Sequence, residues 1–461
     1  MKRCAVAVCC LLAGMAGAQQ KSDDLPLNQR QARVSPAWIT QGVIYQVWLR
    51  GFTPEGTLRA ATARLPKVAE MGATVLYLSP VCLQDDDPRK EHWSPRQRKT
   101  DNPRNPYRIK DYFAIDPEYG TAEDLRAFVK EAHRLGLRVL LDMVFLHCGP
   151  TATIIAEHPE FLKRDKDGQL KLAQWGFPAT DFACPGLRDY FWGNLAFWVR
   201  EFDVDGFRCD VADGIPLEFW ETARERLEQI RPDVGVLAEG MRKEDQLKAF
   251  DLDYGWGYDG KWRDAAAVRA QWERMAGERP RGGAKFARFI ENHDIVQDTG
   301  TNRFDKAWGT AHVDAVLVAL FTLDGVPFLY NGQEIADTSR QSLYAKWPVD
   351  WSGAETPAGQ ARFALCRALC EARRAEAALH RGGLVWLDND QPKAVLSFER
   401  QAEGGRVWSV INLSAQPVTV RIGGCAAPRQ RLVARGVTAC EPQGEALLLT
   451  LQADGYCVAK P

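Results

Sequence analysis

The sequence predicts a (β/α)8 barrel with a short insertion after its third strand, followed by a C-terminal all-β sandwich domain. Three observations carry this. From Val43 onward, apolar β-rich runs alternate with amphipathic helical runs, about eight strands over roughly 330 residues, which implies parallel strands covered by helices. The predicted strands are apolar until their C-terminal ends, where charge appears. After residue 378 the helical period gives way to alternation at period two. A doubly wound sheet is the runner-up, but no glycine-rich phosphate fingerprint follows the first strand.

The elements follow in order. Residues 1–18 begin with Lys2 and Arg3, continue through an apolar run and end at Ala16-Gly17-Ala18. That pattern is an export signal, so the mature protein is expected in the periplasm or outside the cell. Residues 19–40 are polar and aperiodic and read as a leader. The barrel is assigned to residues 41–377. "VIYQVWLR" and "ATVLYLSP" are its first two strands, and the helical run between them ends at Gly72. Residues 81–107 are polar, charged and Pro-containing and read as a long loop; its acidic run Asp85-Asp86-Asp87 reads as solvated. "TAEDLRAFVKEAHRLG" opens with a Thr-x-x-Asp capping pattern and closes at Gly136. "LRVLLDMVF" is the third strand, and residues 148–186 form the insertion. "VDGFRCDVA", "DVGVLAEG", "AFDLDYG", "AKFARFIENHD" and "GVPFLYNGQE" complete the set. Residues 378–461 supply four alternating segments joined by turns, the predicted sandwich.

Composition bounds the function. The net charge of −1, with 46% apolar and 26% charged residues, suits a soluble globular protein. It gives no support to a nucleic-acid or membrane-surface partner, and no segment after the signal is apolar for long enough to span a bilayer. Three of the twelve cysteines fall in the signal, leaving an odd nine. Cys366 and Cys370, at i and i+4 of a helix, read as packing residues; Cys425 and Cys440 are a candidate pair. No cysteine or histidine spacing suggests zinc.

The chemistry concentrates at the strand ends. Asp142 and His147 end or follow the third strand, Arg208 and Asp210 the fourth, Glu239 the fifth, and His293 and Asp294 the seventh. In a barrel these ends meet on one rim, where such folds place catalysis. In "DGFRCD", Arg208 and Asp210 share one face of a strand while Phe207 and Cys209 point to the helices. Gly206 leaves room at a crowded start, and Asp205 reads as a turn residue. Arg208 beside Asp210 is expected to keep that carboxylate ionised. Glu239, after the apolar run "VGVLA", is expected to hold its proton. One charged and one protonated carboxyl is the pattern for glycoside hydrolysis.

Taken with their order, these motifs resemble the α-amylase family (glycoside hydrolase family thirteen). "GATVLYLSP" is similar to its second-strand signature and "YRIKDYFAIDPEYGTAEDLRAFVKEAHRLGLRVLLDMVFLH" to its third-strand region. "DGFRCD", "LAEG", "FIENHD" and "GVPFLYNGQE" resemble its fourth, fifth, seventh and eighth strand motifs. The resemblance implies a retaining double displacement on α-glucans or maltooligosaccharides. Asp210 would be the nucleophile, Glu239 the general acid and base, and Asp294 the third carboxylate. Arg208 would orient Asp210, with Asp142 as a supporting group. His147 and His293 would hydrogen-bond the sugar, and Tyr107 would stack beneath it. The two main carboxyls would stand roughly 5–5.5 Å apart.

The chain departs from the family where relatives hold calcium. Leu146 replaces the usual Asn before the third-strand His, and Ala179 replaces the first Asp of the insertion's acidic motif, leaving Asp181. Calcium needs about six or more oxygens, so no metal and no other cofactor is expected. Two alternatives keep the same barrel. One is an enzyme that transfers glycosyl groups or isomerises a disaccharide; the other is a barrel that binds sugar without catalysis.

Overall fold

Eight strands close into one parallel barrel in the computed structural model, which describes residues 25–283, 285–296 and 303–461. They are β1 (Ile44–Val47), β2 (Val75–Leu78), β3 (Arg138–Met143), β4 (Gly206–Cys209), β5 (Gly235–Ala238), β6 (Leu252–Tyr254), β7 (Phe286–Arg288) and β8 (Val326–Tyr330). Each strand pairs with its sequence neighbours, and β8 returns to β1. Helices Leu58–Met71, Ala122–Arg134, Pro185–Phe202, Leu217–Glu228, Ala265–Gly277, Thr310–Thr322 and Pro357–Ala375 cover the outside. Between β5 and β6 the helix shrinks to one turn, Asp245–Lys248. Thr121 caps Ala122–Arg134 in a capping box with Asp124, as the Thr-x-x-Asp pattern predicts.

Side-chain alternation sorts the barrel into layers. Low in the barrel the inward residues are apolar: Ile44, Val75, Leu140, Leu237, Leu252 and Val326 form one buried cluster. One step up, Gln46, Tyr77, Asp142 and Arg208 point inward, and Asp142 and Arg208 are direct partners across β3 and β4. Phe207 and Cys209 pack into the helical layer, as expected from their parity.

The lower end corrects two expectations. The stretch read as a leader is part of the fold from Gln31 on: Gln31 bridges to Arg281, and Arg33 pairs with Glu228 and Asp251. Its short helix Ala37–Thr40 sets Trp38 beneath the strands, with the indole N–H donating to the Asp233 carbonyl at 2.8 Å. A Cβ on Gly235 would collide with that indole, and one on Gly206 with the Gly235 carbonyl. These two glycines let Trp38 close the barrel. The second correction is Asp205, which is no exposed turn residue. It is fully buried, accepting from the Val139 N–H at 2.8 Å, His133 at 2.7 Å, Arg138 at 2.7 Å and Arg231 at 3.1 Å. The sequence hides this because its three cations lie on three separate segments. The proposed signal at residues 1–18 lies outside the described residues.

The loop after β2 is more ordered than its composition suggests. Cys82–Gln84 pairs with Ile109–Ile115 as an antiparallel hairpin beside the insertion. Its acidic run is not simply solvated. Asp85 is buried on Arg108 and Thr151, Asp87 binds Arg89 and His92, and Asp86 pairs with Lys110.

The C-terminal domain is one antiparallel sheet of β9 (Gly383–Trp386), β10 (Val395–Ala402), β11 (Gly405–Asn412), β12 (Val418–Gly423), β13 (Gln430–Gln443) and β14 (Ala446–Lys460). Long β14 pairs with β11 near its end and with β12 near its start, so the sheet forks. The two wings enclose a core of Trp408, Val410, Val420, Ile422, Leu447 and Leu449. The predicted sandwich is therefore one sheet folded over itself. Cys366 and Cys370 are buried packing residues, and Cys425 and Cys440 are free thiols.

Candidate active site

The upper rim surrounds a cavity of about 460 Å³. Tyr107, His147, Asp210, Glu239, His293 and Asp294 line it. Arg208 and Asp142 lie just beneath, both buried. All eight residues singled out from sequence thus converge here, although Asp294 sits six positions beyond the end of β7. An Asx turn places it, with the Asn292 side chain accepting from the Asp294 N–H at 2.9 Å.

Arg208 organises the floor. Its Nη1 donates to Asp142 at 2.7 Å and to Asp210 at 2.9 Å, and its Nη2 pairs with Glu239 at 2.8 Å. The guanidinium lies between the Tyr77 and Tyr254 rings, 5.6 and 5.5 Å from their centroids. Asp142 also accepts from Tyr77 at 2.7 Å and Tyr107 at 2.8 Å, which completes its shell. Asp210 and Glu239 thus share one guanidinium.

The electrostatics differ from the sequence expectation for Asp210. Burial pushes its carboxyl well above the usual range; Arg208 opposes this, and the nearby Glu239, Asp142 and Asp294 charges add to the rise. Glu239 is also raised, by burial first and by Asp294, with Arg208 again opposing. One shared guanidinium does not offset the burial of both Asp210 and Glu239.

Backbone geometry ties that pair together. Val211, next to Asp210, adopts a left-handed conformation at φ 41°, strained for a β-branched residue. Its N–H donates to Glu239 Oε2 at 2.8 Å. One residue further on, Ala212 donates to the Glu239 carbonyl at 3.0 Å. Asp213 then accepts from the N–H groups of Met241 at 2.8 Å and Arg242 at 3.3 Å. A side chain at Gly240 would displace that carboxylate.

Both histidines are neutral. Burial lowers His147 to about 4 and His293 to about 3. His147 Nε2–H donates to the Tyr107 carbonyl at 2.9 Å, leaving its buried Nδ1 without a protein partner. His293 is tied up. The His293 N–H donates to Gln46 Oε1 at 3.3 Å, so Gln46 Nε2 donates to His293 Nδ1 at 2.7 Å. His293 Nε2–H then serves the Tyr107 hydroxyl at 2.6 Å and Asp294 at 3.2 Å. Tyr107, His293 and Trp48 form a near-parallel aromatic stack, with 4.9 Å between the His293 and Trp48 centroids.

Sequence reasoning missed part of the lining. Trp175 and Phe177 come from the insertion, Trp256 follows β6, and Tyr344 follows β8. The "YGWG" after β6 was the legible cue, an aromatic between two glycines at a strand end. Where family members hold calcium, the donors are absent or used: Leu146 and Ala179 offer no side-chain oxygen. Thr180 Oγ1 donates to the Phe145 carbonyl at 2.7 Å and the Leu146 carbonyl at 3.0 Å. Asp181 accepts from the Ala183 N–H at 3.2 Å. These residues do not fit the metal.

Known proteins agree with this architecture. The profile of the family "Alpha amylase, catalytic domain" matches residues 27–179. Alpha-amylase 2 of Dictyoglomus thermophilum is 23% identical over 447 residues, spanning 85% of this chain and 72% of that protein. A cyclomaltodextrinase from a Bacillus species is 25% identical over 451 residues, spanning 84% and 75%. The crystal structure of a noncanonic maltogenic alpha-amylase, AmyB, from Thermotoga neapolitana superposes with a TM-score of 0.78 at 25% identity, covering 91% of this chain and 98% of that one. The shared profile, these relatives matched over most of the chain and the closed barrel with its C-terminal sheet support one assignment, the α-amylase family of glycoside hydrolases.

Proposed function

We propose that the protein is a retaining hydrolase of α-glucosidic bonds in maltooligosaccharides or α-glucans, with Asp210 as nucleophile and Glu239 as general acid and base. One observation carries this: a single guanidinium holds Asp210 and Glu239 side by side at the floor of an aromatic cavity. Both carboxyls bind the same guanidinium, an adjacency that supports the close spacing of a retaining pair.

The first step requires Asp210 ionised and Glu239 protonated. Asp210 attacks the anomeric carbon, the bond to the leaving oxygen breaks, and Glu239 passes its proton to that oxygen. Glu239, now ionised, takes a proton from water, whose oxygen attacks the same carbon and releases Asp210. Two inversions give retention. Asp142 holds Arg208, which receives the charge of Asp210. His147 Nδ1 is the acceptor available to a sugar hydroxyl. His293 acts mainly by aiming Asp294 and Tyr107, and Asp294 binds sugar hydroxyls.

We also propose that the enzyme works without calcium at the Leu146–Asp181 position, since the donors there do not fit the ion. Residues 1–18 support export, and fractionation of cells expressing the full chain tests it. The central test is release of reducing sugar from maltotriose and starch. Asp210→Asn should abolish it; near-normal turnover by that variant would overturn the assignment.

A further inference from the structure

A second cavity opens beside the first. It has a volume of about 370 Å³ and, among the described residues, its walls are largely aromatic: Trp256, Tyr258, Trp262, Phe289, Phe304 and Trp308. Trp256 lines both cavities. Asp294 faces the first and its neighbour Ile295 the second, so one thin wall separates them.

Tyr258, Trp262 and Phe289 are buried and form the back of the cavity, but the other three rings are not ordinary core. Trp256, Phe304 and Trp308 are only half-buried, whereas Trp48, Trp198 and Trp408 elsewhere are fully enclosed. Phe304 and Trp308 sit on successive turns and stack face to face, with centroids 3.9 Å apart and planes 5° from parallel, so that one ring backs the other and the pair offers a single ring face as a platform. Gly257 and Gly260 take positive φ values of 91° and 70°, and the space beside Gly260 is open. Among the described residues no lysine, arginine or histidine lines the cavity, and the one charged group there, Asp259, is exposed at the rim. A phosphorylated or anionic ligand would therefore meet no counter-charge. A flat, neutral, aromatic surface suits the C–H face of a pyranose ring, with hydroxyls turned to water.

We propose that this cavity is a remote subsite for glucosyl units of the same α-glucan whose bond is cleaved at Asp210. A chain passing Trp256 leaves the catalytic cavity and runs onto the Phe304–Trp308 platform. The enzyme then prefers longer maltooligosaccharides to short ones. The inference rests on the proposed α-glucan reading and deepens it.

The test uses the full-length protein and Trp308→Ala, with Trp308→Leu as a second variant that keeps apolar bulk but removes the flat ring. Neither variant touches a residue of the reaction. The expected result is that kcat/KM for maltoheptaose falls about ten-fold, mostly through KM, the scale of one lost aromatic contact. For maltotriose it should stay within about a factor of two. Equal losses on both substrates in both variants would make Trp308 structural, and no loss on either would leave the platform without a sugar; each overturns the proposal. Calorimetric titration of maltoheptaose into Asp210→Asn, with and without Trp308→Ala, reads binding apart from turnover. If the wild-type protein hydrolyses no α-glucan, the functional reading fails. If it hydrolyses them without regard to Trp308, only the subsite fails.

Discussion

Asp205 and Asp210 are both buried carboxylates at the two ends of one short strand, and they are treated in opposite ways. Asp205 receives four donors. Burial alone would push it up, but the bonds from His133 and Arg138 overcome this and hold it below the usual range. Asp210 receives one arginine donor, shares that arginine with two other carboxyls and is pushed up. The lower end spends its charges on each other and stabilises the barrel. The upper end leaves its acids under-neutralised and facing a cavity. Unmet electrostatic demand, rather than charge itself, marks the reactive end.

The comparison can be broken from its reactive side first. Asp210→Asn removes the proposed nucleophile and one member of a repelling set, so kcat should fall by about 10⁴ or more while the melting temperature holds or rises. A fall in both would mean that Asp210 is structural. Glu239→Gln should cost about 10²–10⁴ in kcat on substrates with poor leaving groups. In the wild type, the raised Glu239 should put the alkaline limb of kcat/KM above the ordinary carboxylate range. That limb should vanish in the glutamine variant, and its survival there would assign it to another group.

Asp205→Asn is the counterpart. It leaves three cations facing a neutral amide, so the loss should be about 3 kcal/mol in stability, with kcat/KM of the folded enzyme unchanged. The pH dependence has a definite sign. Asp205 is lowered, so its contribution is present above about pH 4 and lost as pH falls through the lowered value. His133 is raised by its bond to Asp205, so its contribution is full below about pH 6.5 and lost as pH rises through the raised value. Denaturant midpoints of wild type and variant should therefore differ most between these limits. The smallest effect concerns calcium. On the proposed calcium-free reading, chelation should move the melting temperature by no more than about 1 °C. A large drop would restore a metal to the Leu146–Asp181 region.

The contrast also explains what the sequence could reveal. The barrel was legible because each strand reports itself locally, through an apolar run with a polar end. The eight site residues were legible because seven stand at or near strand ends in ordered motifs. The role of Asp205 was not, since His133, Arg138 and Arg231 come from a helix, a strand start and a loop. The raised Asp210 was also hidden. The pairing with Arg208 shows in "DGFRCD", but the competing claims of Asp142 and Glu239 appear only when three strands are side by side. The Trp38 plug and the Phe304–Trp308 platform follow the same rule. Each depends on what faces it, and no window of sequence contains that.

The central claim is a covalent bond to Asp210. Incubating the enzyme with 5-fluoro-α-glucosyl fluoride, followed by proteolysis and mass spectrometry of the peptides, tests it most directly. The account predicts one added glycosyl unit on the peptide carrying Asp210, and none in Asp210→Asn. An adduct on Glu239 or Asp294, or turnover to the β-anomer with no adduct, would contradict it.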